Sequence, residues 1–135
     1  MSAVPDPVRP RVLLVEDSVL VRQRLRILIE EACPGIEIEE ADSARAAIAS
    51  FHTKAADAAV IDIHLKGQDG CTVLTRVKAL HPECLAIVLT AFGDPDHRAM
   101  CLGLGADFFF EKTTEFDRVP QVLTDFFFRR GGHAC

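Results

Sequence analysis

Glu16 and Asp17 directly follow a short apolar run, Asp62 ends another, Thr90 follows a third, and Lys112 comes just after a last one. If those runs are strands of one sheet, Glu16, Asp17 and Asp62 converge. Three carboxylates sharing a small space resist ionisation unless a cation sits among them. Hard oxygen donors, few of them from protein, suit magnesium (or manganese), whereas calcium takes more protein oxygens. A metal so held offsets the charge of a transferring phosphoryl group while an ionised aspartate attacks phosphorus in line to give an acyl phosphate. Asp62 is the candidate nucleophile. Lys112 offers a compact ammonium that pairs with Asp62 at rest and with phosphate oxygens afterwards, and Thr90 offers a hydroxyl donor to the same oxygens.

The elements that must position these groups are readable in outline. Residues 12–15, 36–38, 58–61, 85–89 and 108–110 are short apolar runs, the pattern of strands buried on both faces of a parallel sheet. Helical periodicity lies between them. It is clearest where Val21, Leu25, Leu28, Ile29 and Ala32 recur on one face, with Arg22, Gln23, Arg24 and Arg26 on the other, until Cys33-Pro34-Gly35 stops the helix. Asp94 caps a helix that starts at Pro95, Gly103 and Gly105 end it, and Thr114 with Asp117 marks another capped start. Asp69-Gly70 reads as a turn and helix start, and Asp57 as the lead-in to the third strand. Strand and helix thus alternate five times, which predicts a doubly wound α/β sandwich with right-handed crossovers. In such sheets the chemistry sits beyond the carboxyl ends of the strands, where all five site residues fall.

Composition narrows the class. With 135 residues and 49% hydrophobic content there is one core to build and no room for a second folded domain. The formal charge of −5, from 20 acidic and 15 basic residues, argues against direct nucleic-acid binding. No signal-peptide core or bilayer-length apolar run is present, so a cytosolic protein is expected, with no membrane partner. Residues 1–10, with three prolines, read as a flexible tail, residues 11–130 as the domain and residues 131–135 as a C-terminal tail. Cys33, Cys71, Cys84, Cys101 and Cys135 are scattered and lack metal or redox spacing, so they read as buried or incidental thiols.

Taken together, Val12-Leu13-Leu14-Val15-Glu16-Asp17-Ser18, Asp62, Thr90-Ala91 and Phe109-Phe110-Glu111-Lys112 resemble the receiver domain of bacterial two-component response regulators, over roughly residues 11–130. The resemblance implies a CheY-like, flavodoxin-like (βα)5 fold of strand order 2-1-3-4-5 and magnesium-dependent transfer to Asp62 from a phosphohistidine on a sensor histidine kinase or histidine phosphotransferase. It assigns metal ligation to the side chains of Glu16, Asp17 and Asp62 and to the His64 backbone carbonyl. Thr90 and Lys112 would bind the phosphoryl group, Phe109 would be the switch aromatic, and His64 and Phe92 would tune the acyl-phosphate lifetime. Lacking a hydroxyl, Phe109 gains no polar contact outside, so its inward rotamer is favoured. Lys66 and Thr113 stand where the family often has proline, which leaves the loop geometry and the isomer of the bond after Lys112 open.

Rival functions are weaker. Phosphohydrolases with a strand-end Asp nucleophile need a second acid two residues later, where this chain has His64. A flavin or nucleotide binder would cradle phosphate with backbone donors in its first loop, where Glu16-Asp17 repels it. A docking module that keeps the fold without phosphorylation is the stronger rival. As a stand-alone receiver the chain would signal through protein contact, onward phosphotransfer, or self-association through the last two helices and last strand. In the last helix, Phe116, Val119, Leu123, Phe126 and Phe127 form an inward stripe that leaves Phe128 and Val122 off it, as a partner surface or as packing for the tail.

Overall fold

The computed structural model describes residues 9–65, 68–91 and 93–131. Five parallel strands form the main sheet: β1 (Arg11–Val15), β2 (Glu37–Ala41), β3 (Ala58–Asp62), β6 (Leu85–Thr90) and β7 (Phe108–Glu111). Their order is β2-β1-β3-β6-β7, the expected 2-1-3-4-5 when main-sheet strands alone are counted. Two short strands, β4 (His64–Leu65) and β5 (Gln68–Asp69), pair antiparallel just after Asp62. The sequence reading has no counterpart for them, because a two-residue hairpin carries no hydrophobic period to detect. Helices α1 (Val19–Ala32), α2 (Ala44–Thr53), α3 (Gly70–Leu80), α4 (Pro95–Gly103) and α5 (Arg118–Gly131) complete the alternation. No described helix is long and apolar enough to cross a membrane.

Period-two alternation of the strands divides the interior into two cores. Leu13, Val15, Ala59, Ile61, Ala86, Val88 and Phe109 point to one face, covered by α2, α3 and α4 residues such as Phe51, Leu74 and Cys101. Val12, Leu14, Val60, Ile87, Leu89 and Phe110 point to the other, covered by Leu25 and Ile29 of α1 and by Val119, Leu123 and Phe127 of α5. Both faces of β1, β3 and β6 are therefore buried, as their continuous apolar runs predict.

The second strand departs from expectation in place and in burial. It runs Glu37–Ala41 rather than over residues 36–38, and four of its five residues are only half-buried. It is an edge strand, and its glutamates are satisfied by cations instead of apolar neighbours. Arg11 pairs with Glu37 and Glu39, and Arg22 and Arg26 with Glu40. Helix starts follow the capping signals more closely: Asp69 Oδ1 accepts from Cys71 N at 2.8 Å, and Asp94 Oδ1 from His97 N at 2.9 Å with Pro95 first in the helix. Asp57 Oδ2 ties down the β1 start by accepting from Arg11 N at 2.8 Å. Gly35 and Gly105 take positive φ of 87° and 108° after the helices they follow. Before α5, by contrast, the Thr114 hydroxyl turns to the Glu111 carboxylate at 3.4 Å, and the helix begins only at Arg118.

The apolar stripe of α5 is broader than expected. Val119, Leu123 and Phe127 are fully inside, while Val122 and Phe126 pack half-buried against them, so Val122 joins the core margin; Phe116, expected in the helix stripe, lies in the turn before the helix and packs half-buried against the same core. Phe128 stays off it, 61% exposed. Cys33, Cys71, Cys84 and Cys101 are buried free thiols, and burial pushes the Cys71 thiol up to about 12, with Asp69 adding to the effect. Cys135, residues 1–8 and residues 132–135 lie outside the described residues, as do Lys66 and Phe92.

Candidate functional site

The carboxyl ends of β1 and β3 lie side by side, Val15 level with Ile61, and this register brings the first and third strand ends together. Glu16 continues β1 and is locked by its own backbone: its N donates to Ala41 O at 3.0 Å, and its carbonyl accepts from Arg22 Nη1 at 2.7 Å. Ser18 then caps α1 by accepting from Val21 N at 3.3 Å, while its own N–H donates to Glu16 Oε2 at 3.1 Å. A serine before the first apolar helical turn is a cap signal legible in sequence.

Glu16, Asp17 and Asp62 each present one carboxylate oxygen within 4.8 Å of the others. Glu16 and Asp62 are buried, 2% and 3% exposed, and Asp17 is half-buried. Lys112 closes the site from the end of β7, its Nζ 2.7 Å from Glu16 Oε1 and 3.1 Å from Asp62 Oδ2. The second contact is a hydrogen bond. The first is an ion pair off the hydrogen-bond axis, so Glu16 Oε1 is a buried carboxylate oxygen without an aligned donor. Asp62 Oδ1 accepts from His64 N at 2.9 Å.

The electrostatics follow from this crowding. Burial lifts the Glu16 carboxyl above its ordinary range, and the neighbouring Asp62 charge lifts it further against the pull of Lys112 and the Ser18 N–H. Burial alone would lower the Lys112 ammonium, but Glu16 and Asp62 overcome it and hold it above its ordinary value. A divalent cation fits such a set: the donors are hard anionic oxygens, and one buried oxygen has no aligned hydrogen bond to lose.

Thr90 ends β6, fully buried, and its carbonyl accepts from Lys112 N at 2.8 Å, which joins the ends of β6 and β7 directly. Phe109 is buried at 4% exposure under Arg98 of α4, whose Nη1 donates to Phe109 O at 3.2 Å and whose guanidinium carbon lies 5.8 Å from the ring centre. The His64 side chain is exposed. Phe92 lies outside the described residues, and the described peptide bonds, Lys112–Thr113 among them, contain no cis isomer.

Two supporting residues escape sequence reasoning. A Cβ on Gly70 would collide with Asp62 O and come within 2.7 Å of Ile63 Cα, so α3 abuts the backbone that carries Asp62 only because residue 70 has no side chain. Gly70 reads locally as a helix start, and nothing nearby in sequence announces that contact. Arg98 is equally silent, since an arginine on a helix gives no sign that it reaches another strand's carbonyl.

Comparison with known proteins accords with this geometry. The response regulator receiver domain profile matches residues 12–124. The transcriptional regulatory protein PhoP of Escherichia coli K12 is 28% identical over 124 residues, 92% of this chain and 55% of that protein. A cyclic di-GMP phosphodiesterase of Thermotoga maritima is 28% identical over 113 residues, 84% of this chain and 30% of that protein. The chain thus spans about a third to a half of the length of these relatives. Among solved structures, a signal receiver domain from Vibrio parahaemolyticus superposes with a TM-score of 0.80 at 26% identity, covering 90% of this chain and 92% of that one. The receiver domain of NtrX from Brucella abortus gives 0.74 at 28%, covering 83% and 93%. With that profile spanning most of the chain and the acidic cluster at the strand ends of a CheY-like sheet, the chain belongs to the response regulator receiver domain family of two-component signalling.

Proposed function

We propose that Asp62 accepts a phosphoryl group from a phosphohistidine of a sensor histidine kinase or histidine phosphotransferase, with Mg2+ or Mn2+ held by Glu16, Asp17, Asp62 and the His64 carbonyl. One observation carries this reading: a buried aspartate, ion-paired to Lys112 at 3.1 Å, sits among two further carboxylates within 4.8 Å. The bound metal supplies positive charge against the transferring oxygens. Asp62 Oδ1 is steadied by the His64 N–H, so the carboxylate presents a fixed edge to phosphorus. Lys112 then exchanges its contact with Asp62 for one with a phosphoryl oxygen, and the Thr90 hydroxyl donates to another.

The switch follows from the same residues. Drawing Thr90 toward the phosphoryl group shifts the end of β6, which is bonded to Lys112 and lies level with Glu111 beside Phe109. His64 and Phe92, two residues past Asp62 and Thr90 in the sequence, are assigned to tuning the lifetime of the acyl phosphate. The chain promotes only its own phosphorylation and dephosphorylation, in the cytoplasm. The phosphodiesterase activity named for the Thermotoga relative is not carried over, because 30% of that protein is matched. With a net charge of −5 these residues do not favour direct nucleic-acid contact, so the signal leaves by protein contact, onward phosphotransfer or self-association.

Intact mass after acetyl phosphate with magnesium tests the proposal. The unsubstituted chain should gain one phosphoryl mass only with metal, and Asp62→Asn should gain none. An adduct that persists in Asp62→Asn would move the acceptor elsewhere; no adduct and no metal binding would favour a phosphorylation-independent docking module.

A further inference from the structure

Two histidines from different elements meet beside the acceptor. The rings of His64 and His97 lie edge to face, 5.3 Å between centroids and 82° between planes, an arrangement in which the positive edge of one ring meets the negative face of the other. His64 opens β4 two residues past Asp62, and His97 is the third residue of α4. Each is anchored at its backbone. His64 N donates to Asp62 Oδ1 at 2.9 Å, so its imidazole hangs from a residue tied to the acceptor carboxylate. His97 N donates to Asp94 Oδ1 at 2.9 Å, and its Nδ1 lies 2.7 Å from Asp94 Oδ2, off the axis of an aligned hydrogen bond. Asp94 is itself the N-cap of α4. A chain of contacts therefore runs from the acceptor through two rings to the start of a helix.

We infer that His97 is a positioning residue for the aspartyl phosphate: fixed to Asp94, it holds the His64 imidazole at the mouth of the site and slows attack by water on phosphorus. The inference rests on Asp62 being the phosphoacceptor. Hydrolysis forms a bond from water oxygen to phosphorus and breaks the one to the Asp62 carboxylate oxygen. The carboxylate keeps the electron pair, and the water proton passes to solvent with inorganic phosphate as product. Water approaches phosphorus in line, opposite the leaving oxygen. A His64 ring that swings away from the mouth leaves that approach open more of the time, and the contact with His97 limits the swing. The ion pair of His97 is with Asp94, while Lys112 pairs with Glu16 and Asp62, so the effect of His97 passes through His64.

Decay of the adduct, followed by intact mass once acetyl phosphate is removed and with Mg2+ kept present, tests this in the unsubstituted chain, His97→Ala, His64→Ala and the double variant. His97→Ala should speed decay by roughly two- to tenfold, the factor by which one edge-to-face contact shifts a population. The double variant should decay no faster than His64→Ala, because the two residues act through one contact. His97→Phe, which keeps a ring edge, should restore slow decay; His97→Gln, which keeps the helix and loses the ring, should not. Mg2+ affinity should be the same in the His97 single variants as in the unsubstituted chain. Unchanged decay in both His97→Ala and His97→Gln, or effects that multiply in the double variant, would overturn the inference while leaving Asp62 as acceptor. No adduct on the unsubstituted chain would overturn the acceptor assignment and this inference with it.

Discussion

The Lys112 ammonium stands between two buried carboxylates, and that position makes it one source of pH dependence at the alkaline end. Its folded value is raised above the ordinary 10.5, so the folded chain holds this proton more tightly than the unfolded one. The resulting stabilisation is complete below 10.5 and is lost as pH rises through the raised value. Denaturant midpoints compared between about pH 9 and about pH 12 should fall more in the unsubstituted chain than in Lys112→Met. Equal falls would mean that the two ion pairs do not stabilise the fold. Glu16 is raised too, chiefly by burial, which for a carboxyl means that the folded state prefers it protonated. Its contribution is therefore greatest below 4.5 and declines as pH rises through the folded value. At neutral pH without metal, Glu16→Gln should accordingly stabilise the chain by about 1 kcal/mol, a melting shift of roughly 3 °C. The same variant should lose much of the stabilisation that magnesium confers, about 2.7 kcal/mol at a hundredfold excess over Kd. A Glu16→Gln variant that melts lower without metal and responds fully to magnesium would count against a metal role for this side chain.

At the scale of elements, the site depends on where α3 and α4 begin. Gly70 lets the first turn of α3 press against the Asp62 carbonyl, so Gly70→Ala pits a methyl group against backbone rather than a yielding side chain. We expect a loss of about 2 to 3 kcal/mol, with magnesium affinity falling alongside because the displaced segment carries Asp62 and His64. Chemical denaturation and metal titration check this together, and an unperturbed affinity would separate the glycine from the site. Asp94→Ala should cost about 1 kcal/mol through the lost cap of α4, read as a lower denaturation midpoint. The two positions differ in how legible they are in advance. Asp94-Pro95 is a local cap signal with a local consequence. The close approach at Gly70 depends on Asp62 and Ile63, which become its neighbours only after the chain leaving β3 turns back through the short hairpin.

For the molecule as a whole, one core on each face of the sheet means that α5 is held by three deeply buried side chains while its opposite side stays wet. Phe127, 3% exposed, and Phe128, 61% exposed, are adjacent in sequence and opposite in consequence. Phe127→Ala should destabilise by about 3 to 5 kcal/mol, and Phe128→Ala should stay within about 0.5 kcal/mol. Thermal melting of the two variants is the check; a large loss in Phe128→Ala would make that ring part of the fold rather than a surface feature.

By its residues alone the sequence carries the alternation of five strands and five helices and the strand ends that hold Glu16, Asp17, Asp62, Thr90 and Lys112, whereas the sheet order comes from the resemblance to receiver domains. Fully buried strands write their apolar runs openly, caps are local, and the handedness of crossovers leaves few topologies. Its one clear error of place, the second strand, arose because an edge strand buries little and signals by charge pairing with Arg11, Arg22 and Arg26, which periodicity does not register. Only tertiary structure shows that Lys112 lies 2.7 Å from one carboxylate and 3.1 Å from another, that Gly70 abuts the Asp62 backbone, and that His97 meets His64. Such contacts join residues far apart in the chain, as Lys112 and Glu16 are. Their geometry is fixed by how the two cores pack, for which no single segment of sequence carries a signal.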